Sequence, residues 1–90
     1  MNLSDKVSIP TQVMARTVGD ETVILDLASG TYFGLDPVGA RIWQLIADGQ
    51  ALGAICETLL AEYEVTRDVL EGDILRLTEE LRAKGLVSLA

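Results

Sequence analysis

The sequence predicts an α+β domain in which a three-stranded antiparallel sheet precedes three helices. Three observations lead there. The first half carries short runs of branched and aromatic residues, broken at Gly19-Asp20 and Ala28-Ser29-Gly30 by residues that suit tight turns. At Asp36-Pro37 the apolar period changes from that of a strand to that of a helix. The second half repeats apolar residues at helical spacing, with Gly49 and Gly85 placed where helices stop.

In chain order, residues 1–9 carry Asp5 and Lys6 and no apolar block, and read as a mobile arm. Pro10 marks the entry to a single domain over residues 10–90. Residues 11–18 form the first strand, with Val13 and Ala15 alternating against Met14 and Arg16. Residues 21–27 form the second and residues 31–35 the third, joined by short loops into a meander. The third strand therefore ends the sheet as an edge.

Asp36 is placed to accept free N–H groups at the start of the first helix, and Pro37 has the fixed φ that suits its first turn. That helix covers residues 37–48, with Val38, Ile42, Leu45 and Ile46 recurring on one side. A second helix over residues 52–63 carries Leu52, Ile55, Leu59 and Leu60, but Gln50-Ala51 offers its start no side-chain cap. Thr66 is placed to cap the third helix, which continues to Lys84. On it Leu70, Ile74, Leu77 and Leu81 step by 4, 3 and 4 along one stripe. Val69 lies off the stripe, and Asp73 and Arg76 lie near it. Two arrangements account for this wide apolar face: packing on two sides, or one side left open as a groove. Residues 86–89 form a short last strand or pack down without one.

Composition bounds the function. The chain has 90 residues, 14 acidic against 7 basic, a formal charge of −7 and no histidine. Such a surface repels phosphate backbones, so nucleic acid is not an expected partner. No apolar run approaches a bilayer span and the first ten residues lack the apolar block of a signal peptide, so no membrane partner is expected and the reading is cytoplasmic. The single Cys56 forms no internal disulfide and lacks a neighbouring base, which marks it as a small core residue. Without histidine the commonest general base and metal ligand are missing. The glycines match no phosphate-binding loop. The acidic pairs Asp20-Glu21 and Glu79-Glu80 read as solvated surface. No catalytic residue, cofactor or metal site is expected, and the chain reads as a binding protein rather than an enzyme.

Several segments carry a resemblance. Leu25-Asp26-Leu27, the run from Gly30-Thr31-Tyr32 through Phe33-Gly34-Leu35-Asp36, and Gly39-Ala40-Arg41-Ile42-Trp43 resemble the PqqD-like family. So do Ala61-Glu62-Tyr63-Glu64-Val65 and the ending Leu81 to Val87. The likeness covers about residues 9–88. It implies a winged-helix-like unit that recognises the leader of a ribosomally made precursor peptide, in pyrroloquinoline quinone or lasso-peptide biosynthesis. The leader adds as a strand beside the third strand and lies against the third helix. The unit then presents the peptide to a radical-SAM enzyme or a leader peptidase, acting as a monomer or weak dimer.

On this chain the resemblance points to Thr31, Tyr32, Phe33, Gly34 and Leu35 on the edge strand, and to Val69, Asp73, Arg76 and Leu77 on the helix wall. Elementary physics agrees. An edge strand offers unpaired N–H and C=O groups to an incoming strand, and Gly34 lets a second backbone approach closely. A proline at Phe33 is expected to remove one such donor.

Two other classes share parts of the pattern. An acidic winged-helix-like transcription factor would need basic residues on its recognition helix. A structural subunit-interaction protein would pair the edge strand with a copy of itself or with an enzyme.

Overall fold

The computed structural model describes residues 1–90. Its elements, in order, are β1 (Val7–Ser8), β2 (Val13–Val18), β3 (Glu21–Asp26), β4 (Tyr32–Leu35), α1 (Pro37–Ala47), α2 (Leu52–Glu62), α3 (Arg67–Ala83) and β5 (Ser88–Leu89). The α+β architecture expected from the sequence is present: β2, β3 and β4 form an antiparallel meander in that order, followed by three helices. The turns close where the sequence places them, at Gly19 with φ 62° and Gly30 with φ 77°. Only glycine adopts that backbone without strain.

Register decides which strand residues face the helices. Val13 pairs with Asp26, Ile24 with Phe33 and Thr22 with Leu35, so these share one face of the sheet. Val13, Ile24 and Leu35 are buried there and Phe33 half-buried. Asp26 is the one carboxylate on the buried side. It accepts the Ala28 N–H at 2.8 Å and the Ser29 N–H at 3.3 Å, which locks the turn into β4.

At the junction to α1, Asp36 Oδ1 accepts the Gly39 N–H at 2.7 Å and Pro37 occupies the first turn. Gly39 eases the packing there: a Cβ would lie 3.2 Å from both Asp36 Oδ1 and the Leu35 side chain, a tight contact that both would have to yield to. Ile42, Trp43, Leu45 and Ile46 bury the inner face of α1. Val38, placed on that stripe by periodicity, remains at the surface.

Residues 1–9 differ from the mobile arm expected of them. β1 pairs with β5 to make a second, two-stranded sheet, in the register Val7 to Leu89 and Ser8 to Ser88. Val7 is buried at 2% exposure. The same segment supplies the cap missing from α2. The Leu52 N–H donates to the Asp5 carbonyl at 3.0 Å, and the Gly53 N–H to the Leu3 carbonyl at 2.7 Å. Backbone carbonyls far upstream thus do what a side chain at Ala51 cannot. Gly53 leaves room for that approach, because a Cβ there would stand 3.1 Å from the Leu3 oxygen.

α3 departs from expectation at both its cap and its stripe. Thr66 holds the N-cap position, yet its hydroxyl makes no capping bond. Inside the helix the fully buried residues are Leu70, Ile74, Thr78 and Leu81, while Leu77 is only half-buried. Thr78 tolerates the interior because its hydroxyl donates to the Ile74 carbonyl at 2.7 Å, which satisfies the polar group within its own helix. Leu77 is thereby released toward the sheet edge. No helix is long and apolar enough to cross a membrane.

Candidate functional site

The edge strand β4 has only one sheet neighbour, β3. Antiparallel pairs alternate between residues that exchange backbone bonds and residues that do not. The Asp26 N–H donates to the Thr31 carbonyl at 2.8 Å, which sets the phase of that alternation. Counting from it, Phe33 and Leu35 bond back to β3, while Tyr32 and Gly34 direct N–H and C=O to the open side. The side chains alternate as well. Phe33 and Leu35 point toward the helices, and Tyr32 stands on the opposite face, 73% exposed.

Beside this edge lies a cleft of about 360 Å³. Phe33, Gly34 and Leu35 form its sheet wall, and Val69, Leu70, Asp73, Arg76 and Leu77 form the facing wall on α3. The start of α1 closes one end with Val38, Gly39 and Ile42, and Tyr63 and Val65 descend from the segment between α2 and α3. The lining is mostly apolar. Val69 projects into it at 58% exposure, a β-branched residue held in water by nothing in its own chain. The open-groove arrangement of α3 is therefore the one adopted.

Charge is sparse and locally balanced within the cleft. Arg76 lies 3.1 Å from Asp73, one turn away on the same helix. The ammonium of Lys84 stands 5.9 Å from the centre of the Phe33 ring. Behind the cleft, Arg41 makes two bonds to Glu62, Nε to Oε1 at 2.9 Å and Nη2 to Oε2 at 2.7 Å. This fork ties α1 to the end of α2 and so braces Tyr63. The hydrogen bond from Arg41, aided by its charge, holds the Glu62 carboxyl below the usual carboxylate range.

The structure brings together Phe33, Gly34, Leu35, Val69, Asp73, Arg76 and Leu77 of the residues singled out by sequence. Thr31 and Tyr32 do not line the cleft; Tyr32 belongs to the open edge through its backbone, while the Thr31 carbonyl is taken by the Asp26 N–H and its own N–H by the Ser29 hydroxyl. Sequence reasoning missed Asp36, Val38, Gly39, Ile42, Tyr63, Val65 and Leu70 as lining. Helical spacing assigned Val38, Ile42 and Leu70 to the core. A Tyr and a Val flanking Glu64 just before the Thr66 cap were the available signal for the third wall.

Cys56 sits away from the cleft, buried on α2 among the core residues. Desolvation pushes its thiol above the ordinary range, with a smaller contribution from the Glu71 charge. A raised pKa means that the unfolded thiol ionises first, so this group's contribution to stability is complete below the ordinary thiol range and declines as pH rises through it. Cys56→Ala is expected to change stability by no more than about 1–2 kcal/mol near neutral pH and to flatten the alkaline decline. Thermal melts against pH check both. A variant that folds yet loses its ligand would instead give the thiol a chemical role.

An open strand edge above an apolar cleft defines a small domain built to accept an extended segment. The chain belongs to the family of coenzyme PQQ synthesis protein D (PqqD), whose family model matches residues 21–87. It is similar to the solved structure of TbiB1 in complex with the TbiA(beta) leader peptide, at 40% identity and a TM-score of 0.83, over 90% of this chain and 94% of that one. It is also similar to lasso peptide synthetase B1 complexed with the leader peptide, at 29% identity and a TM-score of 0.84, over 92% of this chain and 98% of that one. No curated protein sequence matches the chain.

Proposed function

We propose that this protein captures the leader of a ribosomally made precursor peptide as a strand on β4 and presents it to a separate modifying enzyme. The observation that carries this is the outward-facing backbone of Tyr32 and Gly34 beside an apolar cleft. Backbone bonding supplies affinity that tolerates many sequences, and the cleft selects among side chains on alternate positions. The likeness to two leader-peptide complexes supports the same reading.

Of the pathways, the likeness to lasso peptide synthetase B1 favours a lasso-type cluster with a leader peptidase as partner; a radical-SAM enzyme is the counterpart in a PQQ-type cluster. The protein contributes binding and no chemistry of its own. It acts in the cytoplasm as a monomer or weak dimer, without cofactor, nucleic acid or membrane. The charges of α3 speak against DNA. Arg67, Arg76 and Arg82 each lie within 4.0 Å of a carboxylate, on Glu57, Asp73 and Glu79 respectively, so the helix presents no basic face.

Titration with the TbiA(beta) leader peptide, followed by amide exchange, tests the reading. Tyr32 and Gly34 should become protected while Val13 on β2 hardly responds. Val69→Ala should weaken binding by about 1 kcal/mol, the scale of one or two buried methyl groups, and cost little stability because Val69 is exposed in the free protein. Protection confined to α2 and residues 1–9 would place recognition on another face.

A further inference from the structure

We propose that Lys84 is a specificity-determining residue that reads one acidic side chain of the captured segment at the Phe33 end of the cleft. This deepens the peptide-capture reading and rests on it.

The chain holds twice as many carboxylates as cations, 14 against 7, yet Lys6, Arg16 and Lys84 pair with none, and of these Lys84 stands beside a residue of the cleft. Each arginine of α3 has a carboxylate partner. Lys84 has none, although Glu80 lies one turn before it at a spacing that favours pairing. The ammonium is instead held over the ring of Phe33, 5.9 Å from its centre. Phe33 is part of the sheet wall of the cleft. Lys84 thus brings an unneutralised positive charge to the rim of an apolar groove.

A strand bonded to the outward groups of Tyr32 and Gly34 turns every second side chain toward the cleft. One of those side chains passes Phe33, within reach of the flexible lysine stem. A carboxylate there meets the Lys84 ammonium at an apolar rim, where attraction is stronger than in open water. Along the rest of the α3 wall, Asp73 and Arg76 neutralise each other and ask no charge of the ligand. At the α1 end the Asp36 carboxylate is engaged by the Gly39 N–H, so Lys84 is the cation at this groove that has no carboxylate of its own, and its position calls for Asp or Glu. The rival role for Lys84 is a lid whose stem merely shields Phe33 from water. Lys84→Met keeps such a stem and removes the charge, which separates the two.

The experiment is a selection of random displayed dodecapeptides on three proteins: the natural chain, Lys84→Met and Lys84→Glu. The natural chain should enrich Asp or Glu at one position of an otherwise apolar pattern. Lys84→Met should lose that preference, and Lys84→Glu should replace it with Lys or Arg. A selected peptide remade with Asn or Gln at that position should bind the natural chain about fivefold more weakly, with the difference shrinking as salt rises. Lys84→Met should bind both peptides equally. Lys84→Arg, selected in parallel, should retain the acidic preference, which guards against a folding defect in the other variants. The same preferences from all four proteins would overturn the role of Lys84 and leave peptide capture standing. Failure of the natural chain to select any peptide that protects Tyr32 and Gly34 would overturn the capture reading itself, and this assignment with it.

Discussion

Gly34→Pro is expected to abolish peptide capture while leaving the domain folded. The Gly34 N–H points away from β3, so its loss removes no bond of the native sheet. Nothing lies within 4 Å of where a Cβ would stand, and φ is not in the left-handed region, so the space beside the backbone is open in the free protein. Proline is tolerated in edge strands for this reason. An arriving strand, however, loses a donor at the centre of its pairing and finds its own carbonyl buried without a partner. That costs about 2 kcal/mol, or roughly thirtyfold in Kd, before any clash of the ring with the incoming backbone.

Phe33→Pro serves as the contrast. Sequence alone places the lost donor on the free edge, but the register directs the Phe33 N–H to β3, and proline there breaks the ladder that holds β4 in the sheet. It should therefore unfold the strand rather than report on binding. Calorimetry with the TbiA(beta) leader, alongside thermal melts, distinguishes the pair. Native affinity in Gly34→Pro would sink strand addition on β4.

Removal of residues 1–9 should destabilise the fold strongly although it touches no residue of the cleft. Val7 loses nearly full burial, worth about 2 kcal/mol, and Leu3 and Ile9 lose partial packing worth about 1 kcal/mol together. The Leu52 and Gly53 N–H groups lose their carbonyl partners, and β5 loses its only neighbour. At about 0.5–1 kcal/mol for each of those bonds, the sum is near 4 kcal/mol. That approaches the whole stability of many domains of this size. Urea unfolding of the shortened chain measures it. A cost below about 1 kcal/mol would mean that the segment is as loosely held as its sequence reads.

These two predictions also mark where the sequence stops speaking. The order of strands and helices was legible because its signals are local. Gly19, Gly30, Gly49 and Gly85 all adopt the positive φ that their positions required, and Asp36-Pro37 caps α1 as its chemistry dictates. The cleft was legible in part. Phe33, Gly34, Leu35 and Val69 stood out because an edge strand and an off-stripe valine are visible in short windows.

Three things were decided only by the tertiary structure. The direction of the Tyr32, Phe33 and Gly34 backbone groups depends on register with β3, which no residue of β4 determines alone. Thr78 displaced Leu77 from the core because a hydroxyl can return its bond to the Ile74 carbonyl, an option that hydrophobic periodicity does not count. The cap of α2 comes from Leu3 and Asp5, and the pairing that anchors β1 joins Val7 to Leu89 at the other end of the chain. Propensity, capping and turn chemistry act over a few residues and are written where they act. Register, edge direction and long-range closure are set by which surfaces meet, and that is known only once the chain has folded.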